Sequence, residues 1–365
     1  MKALNNNAHP LESLLQQHCP NGVEFKELGE LCEINGGKLN ANKAQSKGLY
    51  EFFTYDYNNP KFVNNYAWDT QALIICKKDN GENPCRYFKG KFNAFQWMRI
   101  LHSFKNEANI HYIKYYFNAI FMQFLQTNSI NISLPYIAIE TIKKFPIPLP
   151  PLEIQQKIVE ILDAFTELEA ELEAELEARL KQYHYYRNKL LSFEELQRRT
   201  DMLNGGGLKL VSLGEVCEVS SGGTPNKNKT EYWSNGTINW VKSEVCQNCY
   251  VYENQVKEKI TELGLQKSSA KLLNKNSTLI ALVGATIGKA GFLTFKSATN
   301  QNVASLYPKD EKKLNPKFLY FASLELYLEF EKLKGFAMAN LSFIRNLKIP
   351  LPPLEVQNDI VELLD

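Results

Sequence analysis

The sequence predicts a mixed α/β chain in which two globular domains are separated by long coiled-coil helices. An internal repeat, short β-prone apolar runs and one long acidic heptad segment lead to this prediction. The segment Ile147–Gln155 returns almost unchanged as Ile349–Gln357, and Leu28–Glu33 returns as Leu213–Glu218. A repeat is recognised before any fold is assigned, because each copy is one structural unit.

The two copies match at their edges and differ in their middles. The stretch between the two repeated segments is 17 residues longer in the second copy. A constant framework with a variable interior is typical of a recognition protein. At 365 residues the chain is long enough for about two domains. We therefore divide it into an N-terminal helical segment (1–22), a first domain (23–148), a first long helix (149–200), a linker (201–207), a second domain (208–350) and the start of a second long helix (351–365).

Each domain follows the same order of elements. A Gly-Gly turn, Gly36-Gly37 or Gly222-Gly223, follows the repeated segment at the start of each domain. A β-prone apolar run then predicts a buried strand, at 72–75 in the first domain and 278–283 in the second. A helical stretch closes each domain, at 110–126 and 316–333. Both domains are therefore predicted to mix helices with strands.

The segment after Pro151 predicts one helix that continues to about Phe193. It contains no glycine or proline, and its apolar residues follow the 4-3-4-3 spacing of a coiled-coil seam before shifting to a spacing of four. About forty helical residues span about 60 Å. A seam of this length needs a partner, and the repeat that starts at Leu354 suggests a second, antiparallel helix. The predicted packing residues are Ile154, Ile158, Ile161, Phe165, Leu168, Leu172, Leu176 and Leu180.

Charge is distributed unevenly along the chain. Residues 153–178 carry a net charge of −8, so the remainder carries +10, although the whole chain is only +2. Basic regions interleaved with Tyr, Asn and Gln suit a polyanion such as DNA. From charge alone, a solvated lysine-rich surface is about as good an interpretation.

The sequence disfavours a membrane-spanning protein and a secreted protein. No apolar run reaches the roughly 18 residues of a membrane span. Residues 1–10 contain one lysine and no apolar core of a secretion signal, and seven cysteines, an odd number, fit a reducing compartment. We therefore expect a cytoplasmic protein without membrane contact.

Two motifs resemble ligand sites but depart from them. Gly284–Ala290 suggests a phosphate-binding loop, yet Val283 stands where the first glycine belongs and Ala290 replaces the Mg²⁺-binding Ser or Thr. From the residues alone, two interpretations stay open: a loop that contacts phosphate through its backbone N–H groups and Lys289, and a plain structural turn. Cys246 and Cys249 have no second ligand pair, so no metal site is predicted. Tyr183–Lys189 is interpreted as packing.

Catalytic motifs are also missing. We find no motif that would hold a flipped adenine, no glycine-rich S-adenosylmethionine motif, no nucleotide-triphosphate motif and no nucleophilic triad. The residues therefore predict no catalytic centre of these kinds.

These residues resemble a known family. The Pro-Leu-Pro-Pro-Leu-Glu entry into a helix, at 148–153 and 350–355, resembles the specificity (S) subunits of type I restriction–modification enzymes. So do the segments 221–225, 232–233 and 238–240, and 284–289 followed by 300–302. In the first domain, Gly90–Phe95 is similar to the motif that follows the second domain's strand. The resemblance covers nearly the whole chain.

The resemblance implies a non-catalytic subunit whose two target-recognition domains each read half of a bipartite DNA site. The helices would set the spacer and bind methyltransferase (M) subunits for adenine methylation, and restriction (R) subunits would join them. S-adenosylmethionine, ATP and Mg²⁺ would belong to those partners. Lysine suits phosphate and asparagine suits adenine edges. The candidate DNA-binding residues are Lys38, Asn40, Asn42, Lys43, Lys91, Asn93, Thr224, Lys227, Lys229, Lys242, Ser243, Thr286, Lys289, Asn300, Gln301 and Asn302.

Two alternatives remain open. The chain could be a coiled-coil scaffold that binds protein and not DNA, or the recognition subunit of a related system in which one polypeptide combines methylation and cleavage. Family members have a complete second helix, whereas this sequence ends at Asp365. A truncated form is therefore expected, whose exposed seam pairs with another molecule, most simply a second copy.

Overall fold

The computed structural model describes residues 10–56, 59–75, 85–128, 137–203, 206–332 and 339–365. The chain forms two compact units, Met1–Ala174 and Glu175–Asp365. The boundary falls within the long helix, so each unit contains part of it. Of the predicted N-terminal segment, Pro10–His18 is helical, and residues 1–9 lie outside the described part. Asn204 and Gly205 of the predicted linker also lie outside it.

The first unit is built on one six-stranded sheet. Its strand order is β2-β7-β5-β6-β3-β4, and all neighbours are antiparallel except β3 and β6, which run parallel. A separate two-stranded ribbon, β1 with β8, joins the two ends of the domain. The strands are β1 (Phe25–Glu27), β2 (Glu33–Gly36), β3 (Tyr50–Phe53), β4 (Lys61–Val63), β5 (Trp68–Ile75), β6 (Cys85–Ala94), β7 (Arg99–His102) and β8 (Pro146–Pro148).

An aromatic helix covers one face of this sheet. Asn109 caps its N-terminus by accepting hydrogen bonds from the backbone N–H groups of His111 and Tyr112. On the buried side of this helix, Phe117 and Phe121 stack with 4.1 Å between their ring centroids. Both rings belong to the core of the unit. The helices of this part are α1 (Pro10–His18), α2 (Leu28–Leu31), α3 (Ile110–Thr127), α4 (Ile139–Lys143) and α5 (Leu152–Leu191).

Helix α5 confirms the predicted long helix, which begins one residue after Pro151 and ends two residues before Phe193. Its first turns belong to the first unit, where Ile154 is fully buried and Ile158 is half-buried. From Phe165 onward the predicted packing residues are between 49% and 64% exposed. At the far end, Arg187 forms a 3.2 Å ion pair with Glu325.

The second unit has two sheets instead of one. A five-stranded sheet has the order β10-β18-β15-β16-β12, a four-stranded sheet has the order β13-β11-β17-β14, and β9 pairs with β19. The strands are β9 (Lys209–Ser212), β10 (Cys217–Ser221), β11 (Ile238–Val241), β12 (Cys249–Val251), β13 (Glu258–Ile260), β14 (Leu272–Leu273), β15 (Thr278–Ala281), β16 (Ala290–Leu293), β17 (Ser297–Thr299), β18 (Val303–Pro308) and β19 (Lys348–Leu351).

Helices pack on the five-stranded sheet and around the ends of the unit. The buried faces of α9 and α12 share one core with the strands β15, β16 and β18. The helices are α6 (Phe193–Met202), α7 (Leu213–Val216), α8 (Glu262–Gln266), α9 (Pro316–Leu324), α10 (Tyr327–Glu331), α11 (Leu341–Asn346) and α12 (Leu354–Leu364). The single helix expected at 316–333 is therefore two helices, and Leu333 lies outside the described residues.

The two units share a framework of strands, and the strand pairing in each sheet shows which strands correspond. Strands β2, β7 and β3 correspond to β10, β18 and β11, and β4 corresponds to β13. The long strands β5 and β6 each correspond to two shorter strands, β14 with β15 and β16 with β17. Residues 242–257, which include β12, connect β11 to β13, where only residues 54–60 connect β3 to β4. Part of the extra length of the second domain therefore lies in this connection.

One assignment from the sequence was wrong. Gly90–Ala94 lies within strand β6, where Gly90–Phe92 pairs with β5 and Phe92–Ala94 pairs with β3, so it is not a motif that follows a strand. The connection that corresponds to Gly284–Lys289 joins β5 to β6, at residues 76–84, outside the described part. Among the described residues, no helix combines the length and apolar character needed to cross a bilayer.

Candidate nucleic-acid interface

Three segments of the second unit meet at one sheet edge. Strands β11 and β17 are parallel, with Val241 opposite Thr299, so their carboxyl ends lie side by side. Lys242 and Ser243 follow the first strand, and residues 300–302 follow the second. The backbone N–H of Asn300 donates to the carbonyl of Val241 at 3.1 Å, which holds the two ends together. We call this edge, with residues 222–224, the second edge.

The Gly-Gly turn joins the same edge because it has no side chains. The Gly223 N–H donates to the Thr299 carbonyl at 2.8 Å. A Cβ on Gly222 would lie only 1.9 Å from the same carbonyl oxygen, so the chain can approach this closely only as glycine. Beyond the turn, the Thr224 hydroxyl donates to Oε1 of Gln301 at 2.7 Å and orients that exposed amide.

Lysines of the second edge lie over aromatic rings. Lys242 is 5.6 Å from the ring centre of Trp240, whose indole N–H donates to the Gly223 carbonyl at 3.0 Å. Lys227 lies 6.0 Å from the ring of Trp233, which packs edge-on against Trp240. These ring contacts hold the flexible side chains of both lysines near one surface.

Two of these lysines also have polar partners. A hydrogen bond with the Glu258 carboxylate raises the pKa of Lys242 above its usual value. A hydrogen bond with Tyr232 raises the pKa of Lys229 in the same direction. Both side chains therefore stay cationic well above neutral pH. Any phosphate that approached Lys242 would compete with the Glu258 carboxylate for its ammonium group.

The glycine-containing turn between β15 and β16 is more closed than the sequence suggested. The N–H groups of Ile287, Gly288 and Lys289 donate to carbonyls of the turn and of β15. Contrary to the prediction, these three groups therefore offer no free donors to a phosphate. Thr286 lies beside the second edge, with its hydroxyl 3.4 Å from the Ser243 carbonyl, and Lys289 Nζ donates to Gln247 at 3.1 Å.

The first unit has a corresponding edge, which we call the first edge: residues 36–39, 54–55 and 95–98. The Phe95 N–H donates to the Phe53 carbonyl at 2.9 Å, as Asn300 does to Val241. The Lys38 N–H donates to the Ala94 carbonyl at 3.0 Å, as Gly223 does to Thr299. The Lys38 ammonium lies 5.0 Å from the ring centre of Trp68.

This correspondence reveals two residues that the sequence did not single out. Counting from the matched hydrogen bonds places Gln96 where the second unit has Gln301, and its N–H donates to the Leu39 carbonyl at 2.8 Å. Trp97 follows it and is 39% exposed. The short segment 300–302 resembles 95–97 too weakly in sequence for the match to be visible without the strand pairing.

The remaining predicted residues divide into exposed and buried groups. Asn40, Asn42 and Lys43 are exposed around a single 3-10 turn that follows the first edge, and Asn302 is half-buried at the second. Lys91 is exposed within β6 and lies 3.9 Å from Asp69. By contrast, Asn93 is 2% and Asn300 is 8% exposed. Their amide oxygens accept backbone N–H groups, so in this structure they support the two edges from within, and DNA contact by them stays a prediction.

Cys246 and Cys249 are not arranged as a pair of metal ligands would be. Cys246 is fully buried and Cys249 is exposed, and burial raises the pKa of the Cys246 thiol to about 12. In the part of the chain that the structure describes, no three His, Cys, Asp or Glu side chains cluster as metal ligands would. Both thiols are free.

Comparisons with known proteins agree with this architecture. The sequence model of the type I restriction modification DNA specificity domain matches twice, at residues 20–182 and 206–365. The specificity subunit of the type I restriction enzyme EcoR124I/EcoR124II of Escherichia coli is 32% identical over 291 residues, 76% of this chain and 67% of that one. A putative type I specificity subunit of Haemophilus influenzae is 28% identical and covers 99% of this chain and 91% of its own length.

A solved structure shows the same fold. The crystal structure of the type I restriction–modification S subunit from M. genitalium superimposes with a TM-score of 0.57 at 18% identity, covering 100% of this chain and 91% of that one. The two family matches together include most of the chain and coincide with the two halves of its repeat. The chain therefore belongs to the family of type I restriction–modification specificity subunits, which recognise DNA sequence.

Proposed function

We propose that each edge reads one half of a bipartite DNA site, the first edge for one half and the second edge for the other. One observation carries this proposal: both units present the same hydrogen-bonded sheet edge, with a glutamine at the same position and a different residue after it. Gln96 and Trp97 occupy the first edge where Gln301 and Asn302 occupy the second. An amide can bond adenine bidentately in the major groove, and different neighbours at one position select different bases.

Lysines around each edge supply the contacts that are independent of sequence. Lys38 and Lys43 flank the first edge, and Lys227, Lys229 and Lys242 flank the second. Contacts of lysine with phosphate fix the register of the protein on the duplex, while base contacts select the site. This division of roles supports a recognition subunit over a scaffold that binds only protein.

Methylation and cleavage are assigned to partner subunits. M subunits would bring S-adenosylmethionine, and R subunits would bring ATP and Mg²⁺, while this chain would supply no catalytic group and would act in the cytoplasm. The exposed apolar seam of α5 (Phe165, Leu168, Leu172, Leu176 and Leu180) is the surface we assign to a helix of an M subunit or of a second copy of this chain. Exposed apolar stripes of this kind mark protein interfaces.

An exchange of domains tests the two-edge proposal. The methylated sequence is first determined in a host with and without this chain and its M subunits. Residues 23–148 are then replaced by the corresponding domain of a relative. We expect one half of the methylated site to change and the other half to stay the same. A change in both halves would show that the two edges do not read independently.

A further inference from the structure

One buried glutamine is placed identically at the start of two helices. Gln155 lies in the first turn of α5 and Gln357 in the first turn of α12, and both are 0% exposed. A fully buried, uncharged polar side chain is retained only where its hydrogen bonds are satisfied. Both amides are satisfied, and by equivalent partners.

Each glutamine makes three hydrogen bonds that join three segments. Nε2 of Gln155 donates to the carbonyls of Glu107 at 2.9 Å and Pro150 at 2.8 Å, and its Oε1 accepts from the Asn109 N–H at 2.8 Å. The helix is thus tied both to the proline entry and to the loop before α3.

The second unit repeats this arrangement. Nε2 of Gln357 donates to the carbonyls of Lys313 and Pro352, both at 2.8 Å, and its Oε1 accepts from the Asn315 N–H at 2.8 Å. Asn315 caps α9 as Asn109 caps α3. Each asparagine also donates through its side chain to the residue after the glutamine, Gln156 or Asn358.

The glutamines act at a distance from the two edges. Strand β7 begins beside the first edge at Arg99 and ends at His102, and Glu107 follows that far end. Strand β18 likewise begins after residue 302, and Lys313 follows its far end. The network therefore fixes how each helix leaves its domain and does not touch the residues that face DNA.

A small change in the angle at which a long helix leaves its domain moves the far end of that helix by a large distance. Helix α5 contains 40 residues and is about 60 Å long. A tilt of about 3° at its start moves its far end by about 3.1 Å, close to the rise of one base pair, about 3.4 Å. Proline entries alone leave a single chain connection, whereas three hydrogen bonds at the first turn oppose such a tilt.

We propose that Gln155 and Gln357 are positioning residues that lock each helix to its recognition domain and so determine how strictly spacer length is discriminated. This inference rests on the proposed function, because it requires the helices to separate two reading edges. Removal of one amide leaves two carbonyls and one backbone N–H without the hydrogen-bond partner that the amide supplied.

The test uses the chain assembled with its M subunits. Methylation rates are measured on duplexes that contain the native spacer, or a spacer one base pair shorter or longer, and on native-spacer duplexes with one altered base in each half-site. Gln155→Met, Gln357→Met and the control Gln182→Met, an exposed glutamine of α5, are compared with the unmodified chain.

Gln155→Met is expected to lower the ratio of native-spacer to altered-spacer rates by about tenfold, about 1.4 kcal/mol. Gln357→Met should lower the same ratio by less, because α12 has 11 residues and α5 has 40. Discrimination against altered bases should stay within about twofold, and the control should change neither ratio. A merely structural role would lower all rates alike and would leave the spacer ratio unchanged, which would overturn the proposal.

A further variant covers the case in which a Met variant does not fold. Gln155→Asn keeps an uncharged amide but shortens the side chain by one methylene, so that it cannot reach all three partners at once. It should show the same loss of spacer discrimination to a smaller extent, and an unchanged ratio in a folded protein would contradict the proposal. If the unmodified complex methylates DNA but shows no spacer preference, the helices do not set the spacer. That result refutes this part of the proposed function independently of the glutamines.

Discussion

At the residue scale, Gln301 is the side chain of the second edge best placed to read a base. It is exposed, and the Thr224 hydroxyl orients its amide. Gln301→Ala should remove about 1–3 kcal/mol of discrimination at one base position of one half-site. Methylation rates on duplexes with all four bases at each position measure this loss. Gln266→Ala, an exposed glutamine of α8, serves as the matched control and should leave all positions unchanged.

Gly288 is a residue whose conformation and surroundings both require glycine. Its φ is +79°, and a Cβ would lie 2.7 Å from the ring of the buried Phe330. Gly288→Ala should therefore lower the free energy of unfolding by about 2–4 kcal/mol, from left-handed backbone strain and overpacking. Thermal denaturation measures the effect, and Gly206→Ala, where a Cβ meets nothing within 4 Å, is the control. Equal melting temperatures for both variants would contradict this account.

At the scale of elements, the sequence predicts those that depend on local pattern. Helix α5 was predicted almost to the residue, because its apolar residues recur at helical spacing throughout and the segment contains no glycine or proline. The buried strands predicted at 72–75 and 278–283 correspond to β5 and β15, and β15 ends at Ala281, two residues before the predicted end. Both were recognisable because their apolar runs are short and continuous. These features are encoded within a few neighbouring residues.

Elements that depend on long-range pairing could not be predicted. The equivalence of Gln96 with Gln301 follows from hydrogen bonds such as Phe95 to Phe53, which join segments about forty residues apart. Gly90–Ala94 was interpreted as a motif that follows a strand, although it lies within β6, because Lys89, Gly90 and Lys91 obscure the alternation of that strand. Pairing with β5 overrides that local signal.

The length of α5 leads to a prediction about the spacer. Inserting one further Glu-Leu-Glu-Ala step near Glu171 adds about 6 Å and rotates the following residues by about 40°. The assembled enzyme should then prefer a spacer that is longer by one or two base pairs. Methylation sequencing of a host that carries the altered chain measures the new spacer. An unchanged spacer would show that the helix does not set it.

The exposed seam of α5 leads to a prediction about association. Leu168 is 49% and Leu172 is 57% exposed, and burying each side chain would contribute about 1.5–3 kcal/mol. Leu168→Glu with Leu172→Glu should therefore weaken binding to M subunits, or to a second copy of the chain. Light scattering over a concentration series and co-purification with M subunits separate these two partners. Glu169→Gln with Glu173→Gln, at exposed positions of the same helix, is the control pair.

At the scale of the whole molecule, the distribution of charge assigns different partners to different parts. The acidic stretch 153–178 carries −8 and would repel DNA, so phosphate contacts are expected only from the two basic domains. The candidate lysines lie in those domains, and several are held over aromatic rings. The long helix can therefore separate the domains without itself binding the duplex.

This separation of charge gives a quantitative expectation for DNA binding. Seven candidate lysines, if all contact phosphate, predict a slope of about −6 when the logarithm of the association constant is plotted against the logarithm of salt concentration. Fluorescence anisotropy of the complex with M subunits measures that slope. Lys227→Gln should make it less negative by about one on every DNA sequence, because phosphate contacts carry no base information. Lys312→Gln, an exposed lysine outside both edges, should leave the slope unchanged. A slope near zero would indicate that the basic domains do not bind DNA and would favour a protein scaffold.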